Sequence, residues 1–145
     1  MVILKATLND LDSLTELFDL YRVFYQQKSD THGAREFLKE RLNNKESVIF
    51  IALDENVPVG FVQLYPLFSS VCMVRTWLLN DLYVKETVRG KGFGEGLLNK
   101  AIAYAEETGA KGLTLETGEK NKIAQRLYEK IGFKRETSYF YHYSI

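Results

Sequence analysis

The order of elements in the chain predicts an α/β (α+β) fold, a mixed and mostly antiparallel sheet that contains one parallel strand pair. Three observations point there. Apolar runs of strand length and stretches of three- and four-residue periodicity follow one another as β-α-α-β-β-β-α-β-α-β-β. The stretch from 47 to 84 is strand-rich, with a turn and a loop but no helical pattern, which makes neighbouring strands antiparallel. A glycine-rich junction, Val84-Lys-Glu-Thr-Val-Arg-Gly-Lys-Gly-Phe-Gly94, then leads straight into a helix. That crossover makes the strands at 79–84 and 113–117 parallel neighbours.

Each element has its own signal. Val2–Ala6 reads as an opening strand. Asn9 or Asp10 can cap a helix whose apolar side is Leu14, Leu17, Phe18, Tyr21, Phe24 and Tyr25, because a short acceptor satisfies the first free N–H groups. Ser29–Gly33 breaks the chain before a second helix near Ala34–Leu42. Ser47–Leu53 is a strand, Asp54–Pro58 a hairpin turn by composition, and Val59–Tyr65 the returning strand. Pro66–Ser70 reads as a loop and Val71–Val84 as a long strand. Phe93, Leu97, Ala101 and Ala105 share one face of the next helix, which Gly109 stops. Leu113–Thr117 is a short strand. Asn121 caps a last helix, with Ile123, Ala124, Leu127, Tyr128 and Ile131 as its stripe and Gly132 at its end. Phe133–Arg135 and Tyr139–Tyr143 read as two closing strands.

Composition narrows the function classes. The 145 residues suit a single domain, 1–145, and 46% hydrophobic content suffices for a sizeable core. Lysine plus arginine and aspartate plus glutamate stand at 19 each, so no net basic field draws nucleic acid. No apolar stretch of about 20 residues is present to span a membrane. The opening Met1–Lys5 is too short an apolar run for a signal peptide. Cys72 is the one cysteine, which excludes an intrachain disulfide and makes a reducing cytoplasm the expected setting; its apolar neighbours predict a buried thiol. His32 and His142 are too few and too far apart for a metal site, so no metal is expected.

The glycine junction carries the chemistry. Gly90, Gly92 and Gly94 let backbone N–H groups approach a ligand closely, the helix start adds unpaired donors and a partial positive charge, and Arg89 and Lys91 add full charges. Together they form an anion site suited to phosphate. A P-loop requires Ser or Thr after Gly-Lys, and here Gly92 follows Lys91; a Gly-x-Gly-x-x-Gly fingerprint started at Gly90 or Gly92 meets Glu95 or Leu97 at its last place. The pattern that fits is Arg-x-x-Gly-x-Gly, read on Arg89, Gly92 and Gly94.

This loop resembles the pyrophosphate loop of the GCN5-related N-acetyltransferases (GNAT). Two further motifs extend the resemblance over the whole chain: Asp81-Leu-Tyr-Val84 just before the loop, and Asn121-Lys-Ile-Ala-Gln-Arg-Leu-Tyr128-Glu-Lys-Ile-Gly-Phe133 near the end. The resemblance implies a GNAT-like sheet whose parallel pair splays apart, with helices on both faces. It implies acetyl-CoA as cosubstrate, a primary amine as acceptor (a small molecule, a polyamine, or a protein lysine or N-terminus) and direct attack. It assigns cofactor binding to Leu82, Tyr83 and Val84, whose free backbone groups would take the pantetheine arm like an added strand, and to the loop residues Arg89, Gly90, Lys91, Gly92, Phe93 and Gly94. It also assigns Asn121, which as a helix cap has a second use.

By the same resemblance Tyr128 is the general acid for the leaving thiolate, since a phenol with a pKa of about 10 is protonated at neutral pH. Helical spacing alone would read it as a core tyrosine. In some relatives a Glu stands just before the strand motif, where this chain has Asn80; the base is therefore open among Asp81, Glu116 and water. Tyr21, Phe24, Tyr25, Tyr65, Phe68 and Trp77 are expected around the acceptor, as an aromatic cleft suited to a cation or a flat body, with core and dimer packing as the plain alternative. The rival to an enzyme is an acyl-CoA sensor or interaction module that kept the fold without turnover. The run Tyr139–Tyr143 is a candidate homodimer edge.

Overall fold

A computed structural model describes all 145 residues. Five strands lie side by side in chain order: β1 (Val2–Lys5), β2 (Val48–Asp54), β3 (Val57–Ser69), β4 (Val74–Val84) and β5 (Leu113–Thr114). The first four are antiparallel and β4 and β5 are parallel, as the crossover requires. The four helices are α1 (Leu11–Phe24), α2 (Thr31–Asn43), α3 (Phe93–Glu107) and α4 (Lys122–Ile131).

Alternation along the strands divides the core in two. Ile49, Ile51 and Phe61 meet Leu11, Leu14, Leu17, Phe18 and Leu38 under α1 and α2. Phe50, Ala52, Val62, Leu64, Trp77 and Leu79 meet Phe93, Leu97, Leu98, Ala101 and Ala105 of α3, with α4 adding Leu127, Tyr128 and Ile131 at the margin. Helices therefore cover both faces, because a strand with both sides apolar must be covered on both.

Local chemistry explains several details. Thr7 and Asp10 form a reciprocal capping box around the 3-10 turn Leu8–Asp10; Asp10, one of the two expected caps, holds the N-cap position of α1, but its side chain makes no capping bond to that helix. Asp30 caps α2 by accepting from the Gly33 amide. Glu55 and Asn56 both adopt positive φ, the geometry of a two-residue hairpin turn. Gly60 is needed because a Cβ there would stand 2.7 Å from the Tyr83 carbonyl oxygen.

Four expectations are corrected. Residues 66–69 continue β3 instead of looping: beyond Leu64, β3 has β4 as its only partner, so a proline without an N–H is tolerated. The turn falls at 70–73, and β4 starts at Val74. Cys72 is exposed in that turn, its thiol beside the Lys111 ammonium, which lowers its pKa. No strand forms after α4; residues 134–145 are exposed, with Tyr139, Phe140, Tyr141 and Tyr143 all above 80%. The apolar alternation there predicts a strand, but β5, the edge beside which it would pair, is only two residues long and no pairing forms.

Candidate active site

The site is built where β4 and β5 part. Their pairing is confined to Trp77–Leu113 and Leu78–Thr114, so β4 from Leu79 to Val84 runs with β3 on one side and no strand on the other. A bulge starts this divergence. Gln63 pairs with Asp81 and Leu64 with Leu79, which leaves Asn80 as an extra residue in β4. The Lys85 amide donates to the Val59 carbonyl at 2.8 Å, toward β3. Strand alternation then turns the N–H and C=O groups of Leu82 and Val84 outward into the gap and commits those of Tyr83 to β3.

The gap leads to the glycine loop. Gly90 and Gly92 have φ of 81° and 88°, in the left-handed region where a side chain is strained. Gly92 is the N-cap of α3 and has no side chain to occupy the first amides, while Phe93 is buried beneath and anchors the turn. Free amides, a helix N-terminus and exposed Lys91 fit a diphosphate. Arg89 turns back: its Nε donates to the Val84 carbonyl at 3.0 Å, and its guanidinium lies 5.2 Å from the Phe24 ring and 5.8 Å from the Tyr83 ring.

Two sides close around the gap. From α4, half-buried Tyr128 stands against Phe133; burial raises its phenol pKa, and the neighbouring Tyr25 phenol adds to the rise. Tyr128 therefore keeps its proton at neutral pH. From α1, Tyr21, Phe24 and Tyr25 form an aromatic wall that continues to Tyr83. Asn121 accepts from the Ala124 amide at 3.2 Å, the capping use of its side chain. Trp77 and Phe68 stand elsewhere: the indole packs under α3 against Tyr104, and Phe68 is exposed beneath Arg75. Of the two carboxylates considered as a base, Glu116 is exposed past the end of β5, and Asp81 is buried.

Sequence reasoning missed the polar network around Asp81. Ser47 donates to Gln63 at 2.8 Å, Gln63 to one Asp81 oxygen at 2.6 Å, and Asn80 to the other at 3.1 Å. Burial raises the Asp81 pKa against these bonds and one from Tyr21. Tyr21 is raised by burial and by Asp81 in turn, and Tyr65 is pushed up to about 12 by burial and then by Asp81. The available signal was Gln63 itself, one amide in the apolar run Val59–Leu64.

A strand bulge, a splayed parallel pair and a glycine-capped helix define an acyl-transferase type of site. Comparison with known proteins agrees. The model of the acetyltransferase (GNAT) family matches residues 14–133. A protein of Bacillus subtilis (strain 168) named uncharacterized N-acetyltransferase YhfO is 48% identical over 145 residues, covering all of this chain and 97% of its own. A probable acetyltransferase of Haemophilus influenzae is 34% identical over 138 residues, 92% of this chain and 90% of its own. The crystal structure of a probable acetyltransferase, 44% identical, superposes with a TM-score of 0.92 over 100% of this chain and 97% of that one. The chain belongs to the GNAT acetyltransferase family and is an acetyltransferase. No helix is long and apolar enough to cross a membrane.

Proposed function

We propose that the protein, acting as one domain over 1–145, moves the acetyl group of acetyl-CoA to a primary amine by direct attack. The observation that carries this is the gap beside β4: the outward backbone groups of Leu82 and Val84 lead into the amides of Gly90–Gly94, a track that suits a pantetheine arm ending in a diphosphate. Tyr83, Arg89 and Lys91 would line that track and Asn121 would flank it. An outward amide of β4 receives the negative charge that develops on the thioester oxygen. The amine nitrogen forms the new C–N bond as the C–S bond breaks, and the Tyr128 phenol gives its proton to the departing sulfur. Buried Asp81, hydrogen-bonded to Tyr21 of the α1 wall, would take the proton the amine gives up, through Tyr21 or through water.

The aromatic wall of α1 supports an amine carried on an apolar or flat body. The exposed thiol of Cys72 supports a reducing, cytoplasmic setting. The alternating exposed rings of the tail and the short β5 edge support a homodimer. The deciding experiment adds acetyl-CoA and a panel of primary amines and follows free thiol. Amine-dependent thiol release is expected. Tight CoA binding without release across the panel would replace the enzyme with a binding module.

A further inference from the structure

We propose that Gln63 is a positioning residue that keeps Asp81 in its proton-accepting form behind the acceptor wall. This rests on the reading of Asp81 as the group that takes the amine proton, and adds what makes that carboxylate fit for it.

The strand bulge brings the two together. Trp77 and Leu79 face α3, and unbroken alternation would send Asp81 to the same side. The extra residue Asn80 turns Asp81 over to the α1 face, opposite Gln63 and in line with Phe61 and Tyr83. There Asp81 is buried, and no lysine, arginine or histidine lies within 4.0 Å of its carboxylate. Neutral donors alone meet its charge: the Gln63 amide at 2.6 Å, the Asn80 amide at 3.1 Å and the Tyr21 hydroxyl. With no counter-ion, each of these bonds weighs on whether the group is charged.

The chain of bonds has a direction. An ionised carboxylate only accepts, so the Gln63 NH2 faces it. The carbonyl oxygen of Gln63 then faces Ser47, whose hydroxyl donates at 2.8 Å and fixes the amide that way round. Gln63 is fully buried in the apolar run Val59–Leu64, where a leucine would bury no polar group. What the amide adds there is the donor it turns toward Asp81. On the amine side, the Tyr21 ring is held edge-on by Phe61 at 5.7 Å and Tyr83 at 6.3 Å. A hydroxyl that donates to Asp81 keeps its lone pairs for an ammonium N–H. As that N–H bond breaks, the Tyr21 oxygen takes the proton while its own passes to Asp81, and the nitrogen keeps the electron pair for attack.

The other ionisable groups around Asp81 are Tyr21 and Tyr25 from α1 and Tyr65 from β3, with the paired Arg41 and Glu46 at the end of α2 beyond Tyr65. The experiment follows the Asp81 carboxyl carbon by NMR across pH in the parent, Gln63→Leu, Ser47→Ala and Ser47→Thr, and measures kcat/KM for an accepted amine over the same range. Gln63→Leu should raise the Asp81 midpoint by about one pH unit, the loss of one hydrogen bond to a charged group. The acid limb of kcat/KM should move to higher pH by the same amount, because the base acts only when unprotonated, while acetyl-CoA affinity stays within a few-fold. Ser47→Ala should move both in the same direction by less, and Ser47→Thr should restore the parent values; this pair decides if Gln63→Leu does not fold. A midpoint that stays in place while urea stability falls marks a purely structural residue and overturns the proposal. A midpoint that moves while the acid limb stays, or moves in a protein whose parent releases no thiol with any amine, overturns Asp81 as the base, and the proposal with it.

Discussion

Half-buried Tyr128 and buried Asp81 are two acids whose environments push both pKa values up, with different consequences. For Tyr128 burial secures the proton it would donate. Tyr128→Phe keeps the ring against Phe133 and removes the hydroxyl, so kcat should fall by roughly 100-fold or more while acetyl-CoA affinity stays within a few-fold. Equal losses in both would remove Tyr128 from proton transfer. For Asp81, a raised folded pKa means that the folded state holds the proton more tightly than the unfolded chain. Its contribution to stability is therefore full below the ordinary carboxylate range and declines as pH rises through the folded value. Asp81→Asn does not titrate, so the stability of the parent relative to this variant should fall as pH increases from about 4. Denaturant midpoints measured across that range check it; a gap that widens in favour of the parent would reverse the assignment.

At the scale of elements, the site depends on backbone positions more than on side chains. Gly92 at φ 88° begins α3, and Gly92→Ala should cost about 1–2 kcal/mol of stability from left-handed strain, with weaker CoA binding as the cap shifts. Gly60 lies against the Tyr83 carbonyl, so Gly60→Ala must push β3 from β4 beside the gap, at about 1–3 kcal/mol. Urea midpoints with unchanged slopes measure both. The Asn80 bulge explains why the divergence of β4 from β5 could not be read from periodicity alone. An added residue shifts the alternation by one, so Trp77 and Leu79 face α3 before it and Leu82 and Val84 after it, and only the register against β3 locates that shift.

For the whole molecule, the unpaired C-terminal run is the open question of assembly. Deleting residues 139–145 removes rings that make little contact within one chain, so urea stability of a monomer should change by less than about 0.5 kcal/mol. If the run joins two copies, the same deletion should convert a dimer to a monomer in light scattering. A full-length chain that is already monomeric would end the dimer reading.

The glycine junction, the element order and the apolar faces of α1, α3 and α4 were legible in the sequence because they rest on local chemistry: caps, backbone freedom and the period of the chain. The parallel placement of β4 and β5 followed from the crossover. Other features were decided only in three dimensions. Pro66 is tolerated in β3 because β2, which begins at Val48 opposite Leu64, does not reach it; Asp81 is buried because Gln63, Tyr21 and Asn80 converge on it; Trp77 leaves the acceptor cleft for the far side of the sheet because strand parity sends it under α3. In each case the deciding neighbour is at least 16 residues away in the chain or depends on a register that local sequence does not encode, except Asn80, whose adjacent amide gains its meaning from the bulge alone.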